Sequence, residues 1–294
     1  MSISEGFIDV TGGKVWYQIH DTNTNSTPVI VLHGGPGSSH YSMQGLQKLA
    51  EHRTVIFYDQ LGCGKSDRPT DTSLWNIDRF VEELGKIREA LSLDEFHILG
   101  HSWGTTLAAA YYLSKPDGVK SIIFSSPCLS APLWAEDQDK NRKLLPLDVQ
   151  QTLKNCEENG TTDSEEYKNA TAVFNKHFVF RQEPNPEFIK NGAHLRNREI
   201  YNIMWGPSEF HVTGNLKHFD CTSNLKDIHV PTMYTCGRFD EATPESTKYF
   251  SSLTPNGKFH VFEQSAHMPY IEEPEEYLRV IGSFLNDIDL YNQK

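Results

Sequence analysis

Residues 96–104, FHILGHSWG, decide how this chain is interpreted. The first four residues form a short apolar run typical of a buried parallel strand, and glycines at 100 and 104 then flank a serine. The next residues, TTLAAAYYLSKP, favour a helix that Pro116 ends. A strand, a tight G-x-S-x-G turn and a helix, in this order, predict that Ser102 is a nucleophile raised clear of the turn.

Similar apolar runs recur along the chain and indicate an open parallel sheet. PVIVLHGG, TVIFYDQLG and VKSIIFSSP lie in the first 130 residues, and VPTMYTCG and KFHVFEQS lie near the end. Between two of them, IDRFVEELGKIREALSL carries apolar residues at helical spacing. This alternation of strands and helices predicts an α/β fold with a mostly parallel central sheet.

The middle of the chain has a different character. Residues 131–225 are polar, with helical fragments such as DSEEYKNATAVFNKHFVF and few strand-like runs. We therefore expect a core domain from residues 1–130 and 226–294, with residues 131–225 inserted as a helical cap over the sheet. The last segment, EPEEYLRVIGSFLNDI, has an apolar stripe at helical spacing and is expected to close the core.

Charge and composition exclude several classes of partner. The net charge of −12 disfavours non-specific binding to nucleic acid or to anionic lipid. No apolar run approaches the ~18 residues that a membrane span needs, so we expect no membrane partner and a cytoplasmic protein. The five cysteines are scattered and form no CxxC pair, which predicts free thiols rather than disulfides or a zinc site.

A serine nucleophile needs a base and an orienting acid, and after such a turn these follow in the order acid, then histidine. His267 lies just beyond the apolar run KFHVF, where a loop would place it at the carboxyl edge of the sheet. Asp240 follows the apolar run ending in TMYTCG, with Glu241 beside it as the second candidate. We therefore predict a triad of Ser102, Asp240 and His267.

The negative oxygen that forms when serine attacks a carbonyl needs backbone donors already in place. The N–H of Trp103, directly after the serine, is one candidate. The loop HGGPG at residues 33–37 offers a second, from Gly34 or Gly35, whereas Pro36 has no N–H to donate. His33 is interpreted as a residue that shapes this loop.

Several motifs together resemble one enzyme family. HGGPG, YDQLGCGKSDRP, GHSWG, FDEATP and SAHMPY resemble the proline iminopeptidase (prolyl aminopeptidase) family of α/β-hydrolases, which includes the tricorn-interacting aminopeptidases. The resemblance covers most of the chain and implies the α/β-hydrolase fold with an inserted cap. It also implies release of an amino-terminal residue, often proline, from short peptides, with no metal or cofactor.

The resemblance further implies how a substrate is held. Glu209 in WGPSEF and Glu241 match the acids that bind the free ammonium of the peptide. Two positions depart from the pattern: Leu61 stands where many members carry arginine, and Thr105 follows Gly104 where some members have a second glycine. These departures leave the preferred amino-terminal residue open.

The leading hypothesis is therefore a serine aminopeptidase acting on peptides that begin with proline or another small apolar residue. A general carboxylesterase, lactonase or amidase would use the same triad on neutral substrates. A ligand-binding receptor built on a degenerate hydrolase is the third hypothesis, and the intact triad argues against it.

Overall fold

A single mixed sheet positions the candidate site. The computed structural model describes residues 2–183 and 185–292, and eight strands in these ranges form the sheet in the order β1-β2-β4-β3-β5-β6-β7-β8. β1 pairs antiparallel with β2 and β2 with β4, whereas the other neighbours are parallel, which confirms the mostly parallel sheet predicted above. The strands are β1 (Ser2–Val10), β2 (Gly13–Asp21), β3 (Val29–Leu32), β4 (Val55–Tyr58), β5 (Phe96–His101), β6 (Val119–Ser125), β7 (Thr232–Gly237) and β8 (Gly257–Phe262).

Helices cover both faces of this sheet. The α-helices are α1 (Ile77–Ala90), α2 (Trp103–Leu113), α3 (Ala131–Arg142), α4 (Leu147–Glu158), α5 (Glu165–Phe178), α6 (Pro186–Ala193), α7 (Arg198–Met204), α8 (Pro244–Leu253), α9 (Pro269–Glu272) and α10 (Pro274–Asn292). Short 3₁₀ helices span His40–Glu51, Thr72–Leu74 and Thr222–Asp227. Several helices begin at a side-chain cap; Asn76, for example, accepts a hydrogen bond from the Arg79 N–H at the start of α1.

Alternate residues of each central strand enter two separate cores, because side chains of a strand point alternately to opposite faces. In β3, Ile30 and Leu32 pack in the core formed with α1, α2 and α8, while Val29 and Val31 pack against α10 and the 3₁₀ helix at residues 40–51. The predicted apolar stripe of α10 is buried in the second core. Strands buried on both faces explain the continuous apolar runs of the sequence.

Helices α3 to α7 all lie between β6 and β7. They have a small apolar core of their own, which includes Leu153, Tyr167 and Phe174. The two segments that connect these helices to the sheet run side by side, because Ser130 and Asp220 form an isolated β-bridge. The exact division into 131–225 and the flanking core stays a prediction.

Two further sequence expectations can be set against the structure. All five cysteines are free, as predicted, and the structure also shows them to be buried. Within the described part of the chain, no helix is both long enough and apolar enough to cross a membrane.

Candidate active site

The turn between β5 and α2 presents Ser102 in a strained conformation. Its backbone φ is 53° and its ψ is −122°, in a region that non-glycine residues rarely adopt. Neighbouring backbone leaves no room for side chains at the flanking glycines. A Cβ on Gly100 would lie 2.4 Å from the Gly104 carbonyl oxygen, and one on Gly104 would lie 2.2 Å from the carbonyl oxygen of Leu32. The G-x-S-x-G spacing is therefore required by the close packing of strand, turn and helix.

The structure brings His267 and Asp240 together on the loops that follow β8 and β7. His267 Nδ1 donates to Asp240 Oδ1 over 2.7 Å, and the Asp240 carboxylate also accepts the N–H groups of Ala242 (2.8 Å) and Gly237 (3.2 Å). Burial lowers the pKa of His267, but the charge and hydrogen bond of Asp240 outweigh it, so the net shift is upward. This arrangement leaves His267 Nε2 as the nitrogen that can act as a base.

Ser102 is not hydrogen-bonded to His267 in the described structure. Among the hydrogen bonds of residues 2–183 and 185–292, none joins the Ser102 hydroxyl to His267 Nε2. Such bonds are often long in unliganded hydrolases and shorten when substrate is bound. Glu241 instead lies close to Nε2, with 3.6 Å between its Oε1 and that nitrogen.

His101, directly before the serine, holds the catalytic loop. Its Nε2–H donates to the backbone carbonyl of His267 over 2.7 Å, and the rings of the two histidines are 4.8 Å apart. Burial and the nearby His267 lower the pKa of His101 well below its usual range, so the ring is neutral and its single proton sits on Nε2. The N–H of His267 in turn donates to the carbonyl of Val179 in the cap, over 3.1 Å.

The predicted oxyanion donors lie next to Ser102. A Cβ on Gly34 would be 3.2 Å from the Ser102 Cβ, and Gly35 lines the same pocket as Ser102 and Trp103. The N–H of Trp103 belongs to the first turn of α2, where backbone N–H groups have no partner within the helix. Their role as donors stays a prediction, and the positions are compatible with it.

Gln60 connects these two donor segments. Its side-chain amide donates to the carbonyl of His33 (3.1 Å) and accepts the indole N–H of Trp103 (2.8 Å). Its backbone N–H donates to His33 Nε2 (3.1 Å), which leaves the proton of that ring on Nδ1, facing the Gly34 carbonyl at 2.9 Å. His33 therefore fixes the shape of the loop and is not available as a second base.

Two carboxylates, Glu209 and Glu241, flank the triad. Glu241 is fully buried, and neither of its oxygens has a hydrogen-bond partner among the described residues. Glu209 is partly buried and lines the pocket in front of Ser102. Burial raises the pKa of both groups, and for Glu241 the neighbouring Glu209 and Asp240 charges raise it further. Within the described residues, no lysine or arginine side chain lies within ion-pair distance of either carboxylate.

Aromatic side chains form the wall of the pocket between the elbow and the cap. The indole N–H groups of Trp134 (2.8 Å) and Trp205 (3.3 Å) both donate to the backbone carbonyl of Glu209. The two rings meet edge to face, with centroids 5.7 Å apart. The pocket is lined by Gly35, Ser102, Trp103, Thr106, Cys128, Trp134, Trp205 and Glu209. It is a small apolar pocket with one acid.

Sequence reasoning missed a third buried carboxylate, Glu272. Its oxygens accept the N–H of Ala266, directly before His267, and the N–H of Arg181 in the cap, each over 2.7 Å. The backbone carbonyl of cap residue Phe178 also accepts a hydrogen bond from the N–H of Glu241, over 3.1 Å. The cap is thus hydrogen-bonded to both loops that carry the base and its acid. The sequence contains no local signal for these contacts.

Comparisons with known proteins agree with this architecture. A sequence family described as the alpha/beta hydrolase fold matches residues 27–274, which confirms the predicted fold class. The chain is 71% identical to a protein named proline iminopeptidase from Heyndrickxia coagulans, over 97% of this chain and 99% of that one. It is 39% identical to a Clostridium botulinum protein of the same name, over 98% and 100% of the two chains. The crystal structure of a proline iminopeptidase from Mycobacterium smegmatis superposes with a TM-score of 0.90 at 33% identity, covering 98% of this chain and 100% of the other.

Proposed function

Since this chain belongs to the proline iminopeptidase family of α/β-hydrolases, we propose that it releases amino-terminal proline, or another small apolar residue, from short peptides through Ser102, His267 and Asp240. The observation that carries this proposal is the pair of acids beside the triad, Glu209 and Glu241, neither of which has a lysine or arginine partner among the described residues. A buried carboxylate without a hydrogen-bond partner is costly, so a site that keeps Glu241 in this state, with the second acid Glu209 beside it, favours a cationic ligand.

The chemical steps follow from the hydrogen bonds of the site. Ser102 Oγ attacks the carbonyl carbon of the first peptide bond while His267 Nε2 takes the hydroxyl proton, and Asp240 stabilises the imidazolium that forms. The negative oxygen of the tetrahedral intermediate is bound by the N–H of Trp103 and an N–H of Gly34 or Gly35. His267 then gives its proton to the departing amine. Water, activated by the same histidine, hydrolyses the acyl-serine and frees the amino acid.

The amine site explains why only one residue would be removed. The ammonium of an amino-terminal proline carries two N–H bonds, and the carboxylates of Glu209 and Glu241 can each accept one. With the ammonium held there, the pyrrolidine ring would pack against Trp134 and Trp205. A chain with further residues before the scissile bond would have no room for them beyond the two acids.

A panel of anilides tests this function. We expect turnover of L-proline p-nitroanilide and, more slowly, L-alanine p-nitroanilide, and no turnover of N-acetyl-L-proline p-nitroanilide, because acetylation removes the charge that the acids bind. Glu209→Gln should lower kcat/KM for the free-amine substrate roughly 10- to 150-fold, the equivalent of losing one hydrogen bond to a charged group.

Glu199→Gln provides the matched control, since it removes an exposed carboxylate from the same region of the cap. It should leave kcat/KM unchanged. Equal turnover of free and acetylated substrates would contradict the proposal. Much faster hydrolysis of short-acyl p-nitrophenyl esters, unaffected by Glu209→Gln, would favour the general esterase instead.

We also propose a cytoplasmic location for the protein. The five buried thiols are all free, which is the state that a reducing compartment maintains. Measuring the activity in fractionated cells of the source organism would test it.

A further inference from the structure

The contact between Glu241 and His267 has a consequence for the resting state of the site. Glu241 Oε1 lies 3.6 Å from His267 Nε2, the same nitrogen that must accept the proton of Ser102. Both side chains are buried, and His267 is the basic side chain that lies within 4 Å of the Glu241 carboxylate. The Glu241 carboxyl group and the Ser102 hydroxyl therefore compete for the same lone pair, that of His267 Nε2.

The competition holds wherever the proton sits. If it is on His267, the imidazolium is stabilised by carboxylates at both nitrogens and has no free lone pair. If it is on Glu241, the carboxylic acid needs to close only from 3.6 Å to hydrogen-bond distance to donate to Nε2, and it then occupies the same lone pair. In either case Nε2 cannot take the hydroxyl proton of Ser102, consistent with the missing hydrogen bond between these two groups.

We propose that Glu241 and His267 share a proton in the free enzyme, and that the ammonium group of the substrate expels this proton and so frees the base. This inference rests on the proposed function, because it assigns the same carboxylate to the substrate amine. One proton is shared before binding. When the ammonium binds, its own N–H groups donate to Glu241, the shared proton leaves to water, and Nε2 becomes a free acceptor for Ser102.

The groups around His267 favour protonation before substrate arrives. Asp240 from the loop after β7, Glu209 from the cap and Glu272 from α9 are all acidic, and each raises the pKa of the imidazole. Within the described residues, the titratable ring packed against His267 is that of His101, at the end of β5, and it is neutral. Among the described residues the surroundings are therefore net negative, so they retain a proton until another cation replaces it.

The groups around Glu241 act in the same direction. Burial first, and then the charges of Glu209 and Asp240, raise the pKa of Glu241, and the hydroxyl of Tyr201 and the thiol of Cys128 are neutral neighbours. The backbone of Glu241 cannot easily turn away, since its N–H donates to Phe178 and its carbonyl accepts the side-chain amide of Gln138 over 2.8 Å. The carboxylate is thus fixed beside the base.

The free amino terminus would then act in the chemical step as well as in binding. When a neutral substrate or reagent reaches Ser102, the lone pair of His267 Nε2 is still occupied by the shared proton, so the reaction proceeds only at higher pH. Selectivity against blocked peptides would therefore exceed what the lost ion pair alone provides.

A neutral serine reagent tests the resting state without using the amine site. Diisopropyl fluorophosphate transfers its phosphoryl group to Ser102 Oγ with loss of fluoride, while His267 takes the hydroxyl proton. We would follow the adduct by intact-protein mass spectrometry across pH, with Ser102→Ala as the unreactive control. Glu241→Gln and Glu241→Met should move the rising limb of this pH profile down by about one pH unit, because a neighbouring carboxylate stabilises the protonated base by this order.

Glu209→Gln is the matched variant, since it removes the other amine-binding carboxylate but not the one at Nε2. Its profile should move clearly less. A wild-type profile in both Glu241 variants, or an equal shift in Glu209→Gln, would overturn the proposal.

Calorimetry gives a second readout that needs no reaction. Pyrrolidine, which is a cation near neutral pH and has no bond to cleave, should bind the wild-type protein with release of up to one proton below the rising limb. Titrations in buffers of different ionisation enthalpy measure that number. Binding without proton release would overturn this inference and leave the aminopeptidase proposal intact, whereas turnover of acetylated substrates would overturn the latter.

Discussion

Replacing Asp240 by asparagine should lower kcat for L-proline p-nitroanilide by about 10⁴-fold and change KM little. The amide carries no charge to stabilise the imidazolium of His267. Its NH₂ group must also face a backbone N–H, of Gly237 in one orientation or of Ala242 in the other, because the carboxylate accepts from both. The variant thus loses the charge and disturbs the position of the base, while the pocket that binds the substrate is unchanged.

Asp139→Asn is the control for this change, since Asp139 is exposed on α3. It should retain full activity. Thermal melting of the Asp240→Asn protein would check that the fold persists. A loss of less than 10-fold in kcat would contradict the assignment and point to Glu241, the second candidate of the sequence analysis, as the orienting acid.

Replacing Gly104 by alanine should destabilise the protein by about 3 kcal/mol, the upper part of the range for overpacked positions. The new methyl group would lie 2.2 Å from the carbonyl oxygen of Leu32. That oxygen belongs to the end of β3, a buried strand paired on both sides, so neither partner can shift cheaply. Separating α2 from β3 would also move the Trp103 N–H, and we expect activity to fall.

Gly85→Ala offers the contrasting control. Gly85 lies inside α1, and a Cβ there would meet no atom within 4 Å. Alanine favours the helix over glycine by about 0.5–1 kcal/mol, so this variant should be slightly more stable. Urea unfolding of both variants measures the difference, and a Gly104→Ala protein as stable as wild type would contradict the packing argument.

The sequence predicted the parts of the fold that repeat a simple pattern. The parallel strands are apolar runs because they are buried on both faces, and the turn at Ser102 is bounded by glycines because backbone fills the space around it. The antiparallel pair β1 and β2 at residues 2–21 was not predicted. β1 is the edge strand of the sheet and is largely exposed, so its apolar pattern is weak.

Helical patterns in the sequence also do not predict which charged residues are buried. Arg79 and Glu83 lie on the buried face of α1 and form an ion pair with each other there. Their spacing of four residues is equally typical of an exposed helix face. Only the neighbouring elements decide which face is covered, and a single helix gives no information about its neighbours.

For the site, chain order placed the candidate residues at one edge of the sheet but could not supply distances. The approach of Glu241 to His267 Nε2 and the contacts of Glu272 with the cap depend on how three separate loops pack. The two contacts join residues that are 26 and 91 positions apart in the sequence. Residue type and order alone do not contain that geometry, and this is why the proposed sharing of a proton between Glu241 and His267 could be inferred only from the structure.

The backbone N–H groups of Glu241 and His267 donate hydrogen bonds to the carbonyls of Phe178 and Val179 in the cap. Through these bonds the inserted helices help to position the proposed catalytic residues. An insertion that only restricted access could be exchanged for another without touching the reaction. Here the exchange would also remove the supports of the base. Changes of specificity through a new cap would therefore have to preserve this one short segment, and we expect it to be the part of the insertion least free to vary.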